Sequence, residues 1–331
     1  MLFSRHTRRR EFIALVGGVA GWPRVGRAQQ HSWVKIGYLS GRSLEPELPI
    51  LTPFRNGLAE AGHVEGRNAS IEFRFAQGHD HLLPMLAKEL VDDQVRVLVG
   101  TDRPSAVALK KATTSIPIVF ASGVNPIDAG LVGSINRPDG NATGVNLFTS
   151  ELGPKRLEIL RELIPNATVI AFLVNPHDAS TAFQLQHIQI AAETVGQRLR
   201  IIHVTTEAEI DPAFETAARE RVSAVMYSAN RLFQVVRERA VSLAAQHSIP
   251  AMYEWPEFVK SGGLSSYSAD RAEMYRQVAV YTGLILNGAK ISDLPIVQPT
   301  KFQLVMNSRT AKALNLTIPP ALLARADEVI E

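Results

Sequence analysis

Residues 116–128 read IPIVFASGVNPID, and residues 168–178 read TVIAFLVNPHD. In each stretch an apolar run leads into Val-Asn-Pro, with an aspartate two residues further on. Continuously apolar runs are typical of strands in a parallel sheet that is covered on both faces. Asn is a good N-cap, Pro fits the first helical position, and the helix dipole favours an acid in the first turn. Both stretches therefore predict a buried strand whose carboxyl end leads into a helix. Capping alone explains the letters, and a ligand role for the two asparagines is the alternative.

Strand-like and helix-like patterns alternate along the chain, which predicts right-handed βαβ units and open parallel sheets. The predicted strands are 34–39, 71–75, 95–99, 116–121, 168–174, 199–204, 224–227 and 249–253. The predicted helices are 52–62, 80–92, 104–113, 155–163, 179–195, 208–220, 231–246 and 270–288. Residues 71–75, IEFRF, alternate between apolar and polar side chains, which indicates an edge strand with one wet face.

A long interruption separates the first four predicted strands from the last four. Residues 122–154 are rich in Gly and Pro, and a new βα series begins after them. We read this stretch as a crossing between two sheets, with further crossings near 254–270 and 288–300. The predicted fold class is α/β, with two Rossmann-like lobes built on parallel sheets and a ligand cleft between them. The predicted lobes are 29–148 plus 268–290 and 149–267 plus 291–331.

The first 28 residues have the composition of an export signal. Paired arginines at 8–10 precede an uncharged apolar run from Phe12 to Trp22, and Gly26 and Ala28 are small residues suited to a signal peptidase. The arrangement is twin-arginine-like and predicts a periplasmic protein cleaved after Ala28. The alternative is a basic leader on a cytoplasmic protein.

The leader also accounts for the chain's basic character. Removing its six arginines and one glutamate from 35 basic and 32 acidic residues leaves 29 and 31, a formal charge of −2. A nucleic-acid partner would require a basic face on the folded part, so none is expected. The chain contains no cysteine, which excludes disulfides and thiol chemistry.

Enzyme motifs are missing from the sequence. It has no G-x-G-x-x-G after a strand, no complete P-loop and no G-x-S-x-G nucleophile elbow. His79 and His81 are only two potential metal ligands, and a metal site needs three or four, so we expect both on the surface. We therefore expect a binding protein without cofactor or metal, and keep an exported α/β enzyme as an alternative.

Long ordered motifs along the whole chain resemble the substrate-binding proteins of ABC importers, in the group associated with tryptophan and tyrosine uptake. The motifs that carry this resemblance are RREFI, FRNGLAEAGHVEGRNASIEFRFA, SIPIVFASGVNPIDAGLVGSINRPDGNATGVN, LGPKRLEILRELIP, IPAMYEW, GGLSSYS, LPIVQPTKFQLVMNSRTAKALNLTIPP and LLARADEVIE. The resemblance implies a periplasmic binding protein type I fold, in which two α/β lobes joined by three crossovers close on a ligand. The chain departs from the family's pattern at Asn125, where Asp is more usual, and at Ser268, where Gly usually follows the tyrosine.

An amino-acid ligand requires donors for its carboxylate, an acid or carbonyls for its ammonium, and an apolar or aromatic wall. At strand ends, Glu254 is the candidate for the ammonium, with Tyr253 or Trp255 as the stacking wall. Asn230 either binds ligand or caps a helix, and Tyr267 either closes over the ligand or lies in the hinge. The complete set of predicted ligand-binding residues is Ser40, Thr101, Ser122, Asn125, Asn175, Asn230, Tyr253, Glu254 and Tyr267.

These features predict a monomeric periplasmic protein that captures a small organic solute and delivers it to an ABC permease in the inner membrane. An exported sensor or chemoreceptor partner of the same fold is the alternative. A transcriptional repressor would carry a DNA-binding helix-turn-helix before residue 34, where this chain has the leader. The ligand stays open among an aromatic amino acid, a branched-chain amino acid and an aromatic carboxylate.

Overall fold

The apolar runs form strands in two separate sheets. The structure, a computed structural model, describes residues 33–331, so the export signal predicted at residues 1–28 lies outside the described residues. The strands are β1 (Val34–Ser40), β2 (Ala69–Phe75), β3 (Val97–Gly100), β4 (Ile118–Ser122), β5 (Ala142–Asn146), β6 (Val169–Val174), β7 (Arg198–His203), β8 (Ala224–Tyr227), β9 (Ala251–Tyr253), β10 (Ser265–Ala269), β11 (Phe302–Asn307) and β12 (Glu328–Ile330).

Helices connect most of these strands and cover both sheets. They are α1 (Leu44–Glu60), α2 (Leu83–Asp92), α3 (Arg103–Ala112), α4 (Gly153–Leu163), α5 (Thr181–Thr194), α6 (Ile210–Arg219), α7 (Arg231–Val235), α8 (Arg237–Gln246), α9 (Pro256–Lys260), α10 (Arg271–Leu286), α11 (Ser308–Ala313) and α12 (Pro320–Arg325). Short 3₁₀ turns occur at Asp80–Leu82, Glu207–Glu209 and Ile291–Asp293.

The first sheet has the order β2-β1-β3-β4-β5, and all its strands are parallel. The strand IEFRF lies in β2 at one edge, as its alternating pattern predicted. Helices α1 and α10 pack on one face around Phe54 and Val278, and helices α2 and α3 pack on the other around Leu90 and Leu109. We call this sheet and its helices the first lobe.

The second sheet has the order β12-β11-β10-β9-β8-β6-β7. Its strands are parallel except for the antiparallel pair β10 and β11. Phe214 and Phe258 belong to the core on one face, and Leu160 and Met306 belong to the core on the other. The prediction of two α/β lobes built on parallel sheets is confirmed, with the pair β10 and β11 as the antiparallel exception. We call this half the second lobe.

Helix α10 shows how the chain crosses between lobes. It follows β10 of the second sheet, yet it packs against α1 and β4 of the first lobe. The predicted lobe boundary at 267/268 falls inside β10, and Val297 pairs with Val145 of the first sheet although it was assigned to the second lobe. The limits of the two lobes in sequence stay a prediction.

The sequence pattern does not indicate β10, β11 or β12, and three further local predictions are wrong. The stretch 122–154 contains β5, a strand with the sequence ATGVN that carries no apolar run. Helix α1 begins at Leu44, eight residues before the predicted start, although Pro49 and Pro53 lie inside it. Buried Glu47 in its first turns accepts hydrogen bonds from Tyr38 and Ser40 of β1, and this tertiary contact overrides the low helix propensity of proline.

The third correction concerns the repeated Val-Asn-Pro pattern. In both copies the asparagine Oδ1 accepts a hydrogen bond from the backbone two residues later, at 3.0 Å from Ile127 N and 3.0 Å from His177 N. These are local turns rather than helix N-caps, since α5 begins only at Thr181. The two copies do end β4 and β6, which belong to different sheets.

Candidate functional site

A cavity of about 510 Å³ lies between the two lobes, at the carboxyl ends of their strands. The order of the first sheet reverses between β1 and β3, and that of the second between β6 and β8. Ligands bind open parallel sheets at such reversal points, because the loops on either side diverge there. The cavity walls are formed in part by residues from three segments: 101–104 after β3, 175–180 after β6 and 229–235 after β8.

The structure brings four of the nine predicted site residues to this cavity. Thr101, Asn175, Asn230 and Glu254 line it, and so does the alternative stacking residue Trp255. The remaining five residues do not line it: Ser40, Ser122, Asn125, Tyr253 and Tyr267.

Three of the lining residues use their polar groups inside the protein. The Thr101 hydroxyl points to the carbonyl of Leu39 at 3.4 Å, and Asn175 accepts from His177 N. Asn230 caps α7, because its Oδ1 accepts from Leu232 N at 2.8 Å while its Nδ2 donates to Asp178 at 2.9 Å. Capping is thus one role of Asn230.

Glu254 differs from these residues because half of its carboxylate has no partner. The residue is 2% exposed, and its Oε1 accepts a hydrogen bond from Gln234 at 3.1 Å. Its Oε2 is buried without a hydrogen-bond partner among residues 33–331. Burial raises the pKa of Glu254 to about 7, while Arg156, Gln234, Arg271 and the Trp255 indole oppose the rise. The Trp255 N–H lies near this carboxylate but outside hydrogen-bond geometry.

The five residues away from the cavity have structural contacts of their own. The Ser40 hydroxyl donates to Glu47 at 3.0 Å, and the Ser122 hydroxyl donates to the carbonyl of Val124 at 2.7 Å. Asn125 holds its local turn, as described above.

The two tyrosines among the five pack against other rings. Tyr253 is 1% exposed and stacks between Tyr227 and Phe258, with ring centroids 5.3 and 4.7 Å away. Tyr267 stacks on Phe302 at 5.8 Å. Both therefore contribute to the core of the second lobe, where alternation along a strand turns successive side chains to opposite faces.

Arg42 is the main cavity residue that the sequence did not indicate. Its guanidinium pairs with buried Glu47 and donates to the Thr101 carbonyl at 3.1 Å and to the Tyr275 hydroxyl at 3.0 Å. Burial alone would lower the pKa of Arg42, but Glu47, Tyr275 and Asp102 outweigh that effect and raise it well above its usual range. The first lobe therefore presents a fixed cation to the cavity.

The other missed cavity residues lie next to positions that were considered. Asp102 and Arg103 directly follow Thr101, and Gln234 lies one turn after Asn230. Arg271 and Tyr275 come from α10, whose pattern gave no sign that its first turns face a cleft. Helical periodicity reports a buried stripe but does not say which helix end reaches a ligand.

A cation of the second lobe bonds directly to the first lobe. Arg231, the first residue of α7, donates to Asp80 at 2.8 Å and to the carbonyls of Gly41 and Gly78 at 3.2 Å each. It lines both the first cavity and a neighbouring one of about 560 Å³, also bounded by the two lobes. The side chain of Arg231 therefore bridges the cleft.

The side chains and helices of residues 33–331 also show whether the requirements of a metal site and of a membrane-spanning helix are met. His79 and His81 are exposed as predicted, and within this range no three His, Asp or Glu side chains are grouped as metal ligands would be. Among the described helices, none combines the length and the apolar character required to cross a bilayer.

Two α/β lobes that enclose a cavity lined by both polar and apolar side chains define the class of two-lobed ligand-binding proteins. The model of the ABC transporter substrate binding protein family matches residues 45–330. The chain belongs to this family, and the resemblance found in the sequence is confirmed.

Individual relatives agree with this assignment. The chain is 24% identical to the tyrosine-binding protein of Clostridioides difficile (strain R20291) over 263 residues, which cover 80% of this chain and 75% of the relative. Its structure is similar to that of an ABC domain in complex with L-Trp from Streptococcus pneumonia, with a TM-score of 0.82, 26% identity, and coverage of 90% of this chain and 100% of the other. A ligand-free, open substrate binding protein from Clostridium difficile shares the fold, with a TM-score of 0.70, 23% identity, and coverage of 90% and 99%.

Proposed function

We propose that this protein is the periplasmic amino-acid-binding component of an ABC importer and that its ligand carries an aromatic side chain. Membership of the substrate-binding family supports the binding role. A tyrosine-binding relative and a structural neighbour that holds L-Trp support the ligand class. After capture, the closed protein presents the ligand to a permease in the inner membrane.

The observation that carries the ligand class is the unpaired oxygen of Glu254. A buried carboxylate without a partner is costly, and a cation that binds it removes that cost. The ammonium group of an amino acid supplies such a cation, with hydrogen-bond donors of the right kind. A sugar would offer only neutral hydroxyls to this position, so Glu254 favours an amine-bearing ligand.

The rest of an amino acid also finds suitable partners on the cavity wall. The Arg42 guanidinium, held in place by Glu47, is a fixed cation in the first lobe for the ligand carboxylate. Trp255, Leu147 and Leu232 supply apolar wall for the side chain. Since the two charged partners come from different lobes, the ligand binds fully only when the lobes are together. This differential affinity is what shifts an open–closed equilibrium.

The test compares two related ligands on the wild-type protein and on a variant, by calorimetry and thermal shift. We expect L-tyrosine to bind and to raise the melting temperature, its des-amino analogue 3-(4-hydroxyphenyl)propionate to bind more weakly, and Glu254→Gln to weaken L-tyrosine about 100-fold while changing the analogue little. Glu151→Gln is the matched control, because Glu151 is also a largely buried acid with a pKa raised to about 7 by burial, but it does not line the cavity.

Two results would contradict the proposal. If only sugars or nucleosides stabilise the protein, the amino-acid assignment is wrong. If Glu254→Gln weakens both ligands equally, Glu254 does not bind the ammonium. Uptake of labelled tyrosine by a strain that lacks the gene separates an importer from a sensor, since loss of a chemotactic response with intact uptake would favour the sensor.

A further inference from the structure

A buried arginine lies behind the wall of the cavity. Arg156, in the first turns of α4, is 2% exposed and does not line the cavity. Its Nε donates to the Tyr267 carbonyl at 2.9 Å, and its Nη1 donates to the Thr149 carbonyl at 3.3 Å. Its Nη2 is buried without a partner, and no acid of residues 33–331 forms a salt bridge with it. A buried cation held only by carbonyls requires an explanation, because burial of an unpaired charge is strongly unfavourable.

The strand register brings the backbone that binds this guanidinium next to Glu254. The parallel strands β9 and β10 pair Met252 with Ser265 and Tyr253 with Ser266. One residue further along each strand come Glu254 and Tyr267, which are therefore neighbours in the backbone. Arg156 is bonded to the Tyr267 carbonyl and is therefore held next to the point where Glu254 leaves the sheet. The two buried charges are close enough to act on one another's ionisation.

Arg156 and Glu254 each keep one polar atom without a hydrogen-bond partner, namely Nη2 and Oε2. Glu254 Oε2 is therefore available to a ligand. Because Arg156 directs its donors to two carbonyls, it attracts the carboxylate without bonding to Oε2. Burial lowers the pKa of Arg156 to about 10, which leaves it charged at neutral pH. A direct ion pair would instead occupy the oxygen that a ligand needs.

We propose that Arg156 is a positioning residue that favours the ionised form of Glu254 in the empty cleft while leaving its free oxygen to the ligand's ammonium group. This inference rests on the proposed amino-acid function. In this proposal Arg156 controls the charge of the carboxylate that binds the ammonium group, although Arg156 itself does not touch the ligand.

The other groups around Glu254 favour its ionised form less than Arg156 does. Gln234 from α7 is neutral and bonds to Oε1. Arg271 from α10 also lowers the pKa of Glu254, but it pairs with Glu257 and lies over the Trp255 ring, 4.9 Å from its centroid. Among the charged neighbours, Arg156 has the larger effect on the pKa of Glu254.

A purely structural role for Arg156 makes a different prediction. Its two hydrogen bonds join the first crossover at Thr149 to strand β10, so its loss would lower stability in any case. Loss of stability alone would not move the pH at which Glu254 titrates. The ionisation of Glu254 in the empty protein is therefore the decisive measurement.

The experiment follows the Glu254 carboxyl carbon by NMR in ligand-free protein, with Glu254→Gln to assign the signal. We expect Arg156→Gln to raise the titration midpoint by about one pH unit or more and Arg156→Lys, which keeps the charge, to leave it near the wild-type value. Affinity for L-tyrosine at pH 7 should fall about tenfold in Arg156→Gln and recover toward pH 8.5, while 3-(4-hydroxyphenyl)propionate is unaffected. In the Glu254→Gln background, Arg156→Gln should cause no further loss.

An unchanged midpoint in folded Arg156→Gln would overturn the inference. If the midpoint moves but wild-type protein does not bind L-tyrosine, the charge pairing stands and the proposed ligand is wrong. If Arg156→Gln does not fold, the double variant Arg156→Gln with Glu254→Gln, which removes both buried charges, should recover stability. A double variant that is no more stable than Arg156→Gln would count against the pairing.

Discussion

The carboxylates around the cavity differ in how much of their hydrogen-bonding capacity the protein itself uses. Asp102 accepts from Gly41 N and Ser105 N, and Asp178 accepts from Ser180 and Asn230. Glu254 accepts only from Gln234 and keeps one buried oxygen free. Satisfied carboxylates hold loops in place, whereas the unsatisfied one carries a cost in the empty protein that a ligand can relieve.

The stability of the empty protein should report this cost through its pH dependence. Burial raises the pKa of Glu254 from 4.5 to about 7, so the folded protein holds this proton more tightly than the unfolded chain does. The contribution of Glu254 to stability is therefore full below about pH 4.5 and is lost as the pH rises through about 7. We expect the free energy of unfolding of Glu254→Gln, relative to wild type, to rise by up to about 3 kcal/mol between pH 5 and pH 8.

Denaturant titrations of the two proteins at both pH values measure that difference. Glu151 contributes a pH dependence of the same sign and is present in both proteins, so it cancels. Parallel pH profiles for wild type and Glu254→Gln would show that Glu254 does not carry a raised pKa.

At the scale of elements, helix α1 illustrates how close packing positions the cleft. It packs against α10, which carries the cavity residues Arg271 and Tyr275. A Cβ on Gly57 of α1 would lie 2.2 Å from the Arg276 carbonyl and 2.9 Å from the Ala279 Cβ. The contact therefore depends on the absence of a side chain at this position.

Replacement of this glycine should separate the two helices. We expect Gly57→Ala to destabilise the protein by about 1–3 kcal/mol, because the methyl group has no room and two backbones must move. Gly153→Ala is the matched control: it lies at the start of α4, and its nearest neighbour would be 3.8 Å away. Equal melting temperatures for both variants would contradict the tight contact at Gly57.

At the scale of the whole molecule, Arg231 is a contact that ties the second lobe to the first across the cleft. Its pair with Asp80 is partly exposed and by itself contributes little, but two carbonyls of the first lobe accept from the same guanidinium. These bonds exist only while the lobes are together, so they stabilise the closed arrangement.

Arg231→Ala should therefore weaken L-tyrosine binding about tenfold, mainly through faster dissociation, because three hydrogen bonds to the first lobe are lost. Stopped-flow fluorescence measures the dissociation rate, and small-angle scattering should show a smaller compaction on ligand addition than in wild type. Arg239→Ala is the control, since Arg239 pairs with Asp211 of the same lobe. Dissociation rates that match in both variants would rule out the bridging role.

The sequence by itself determined the two-sheet α/β architecture, the edge position of β2 and the family. Continuous apolar runs and their alternation with helical patterns are local properties of the chain, so they can be read without knowledge of tertiary contacts. It also indicated that the strand ends border a cleft and that Glu254 and Trp255 lie there, because parallel strands must present their carboxyl ends at one edge.

Only the tertiary structure decided which of those strand-end residues face the cavity. Ser40 turns to Glu47, Tyr253 stacks in the core, and Arg42, Arg231 and Arg271 reach the cleft. These outcomes depend on contacts between residues distant in the chain, such as Arg42 with Tyr275, which no local pattern contains. A residue's type limits what it can bind, but its burial and its partners decide whether that capacity is left for a ligand.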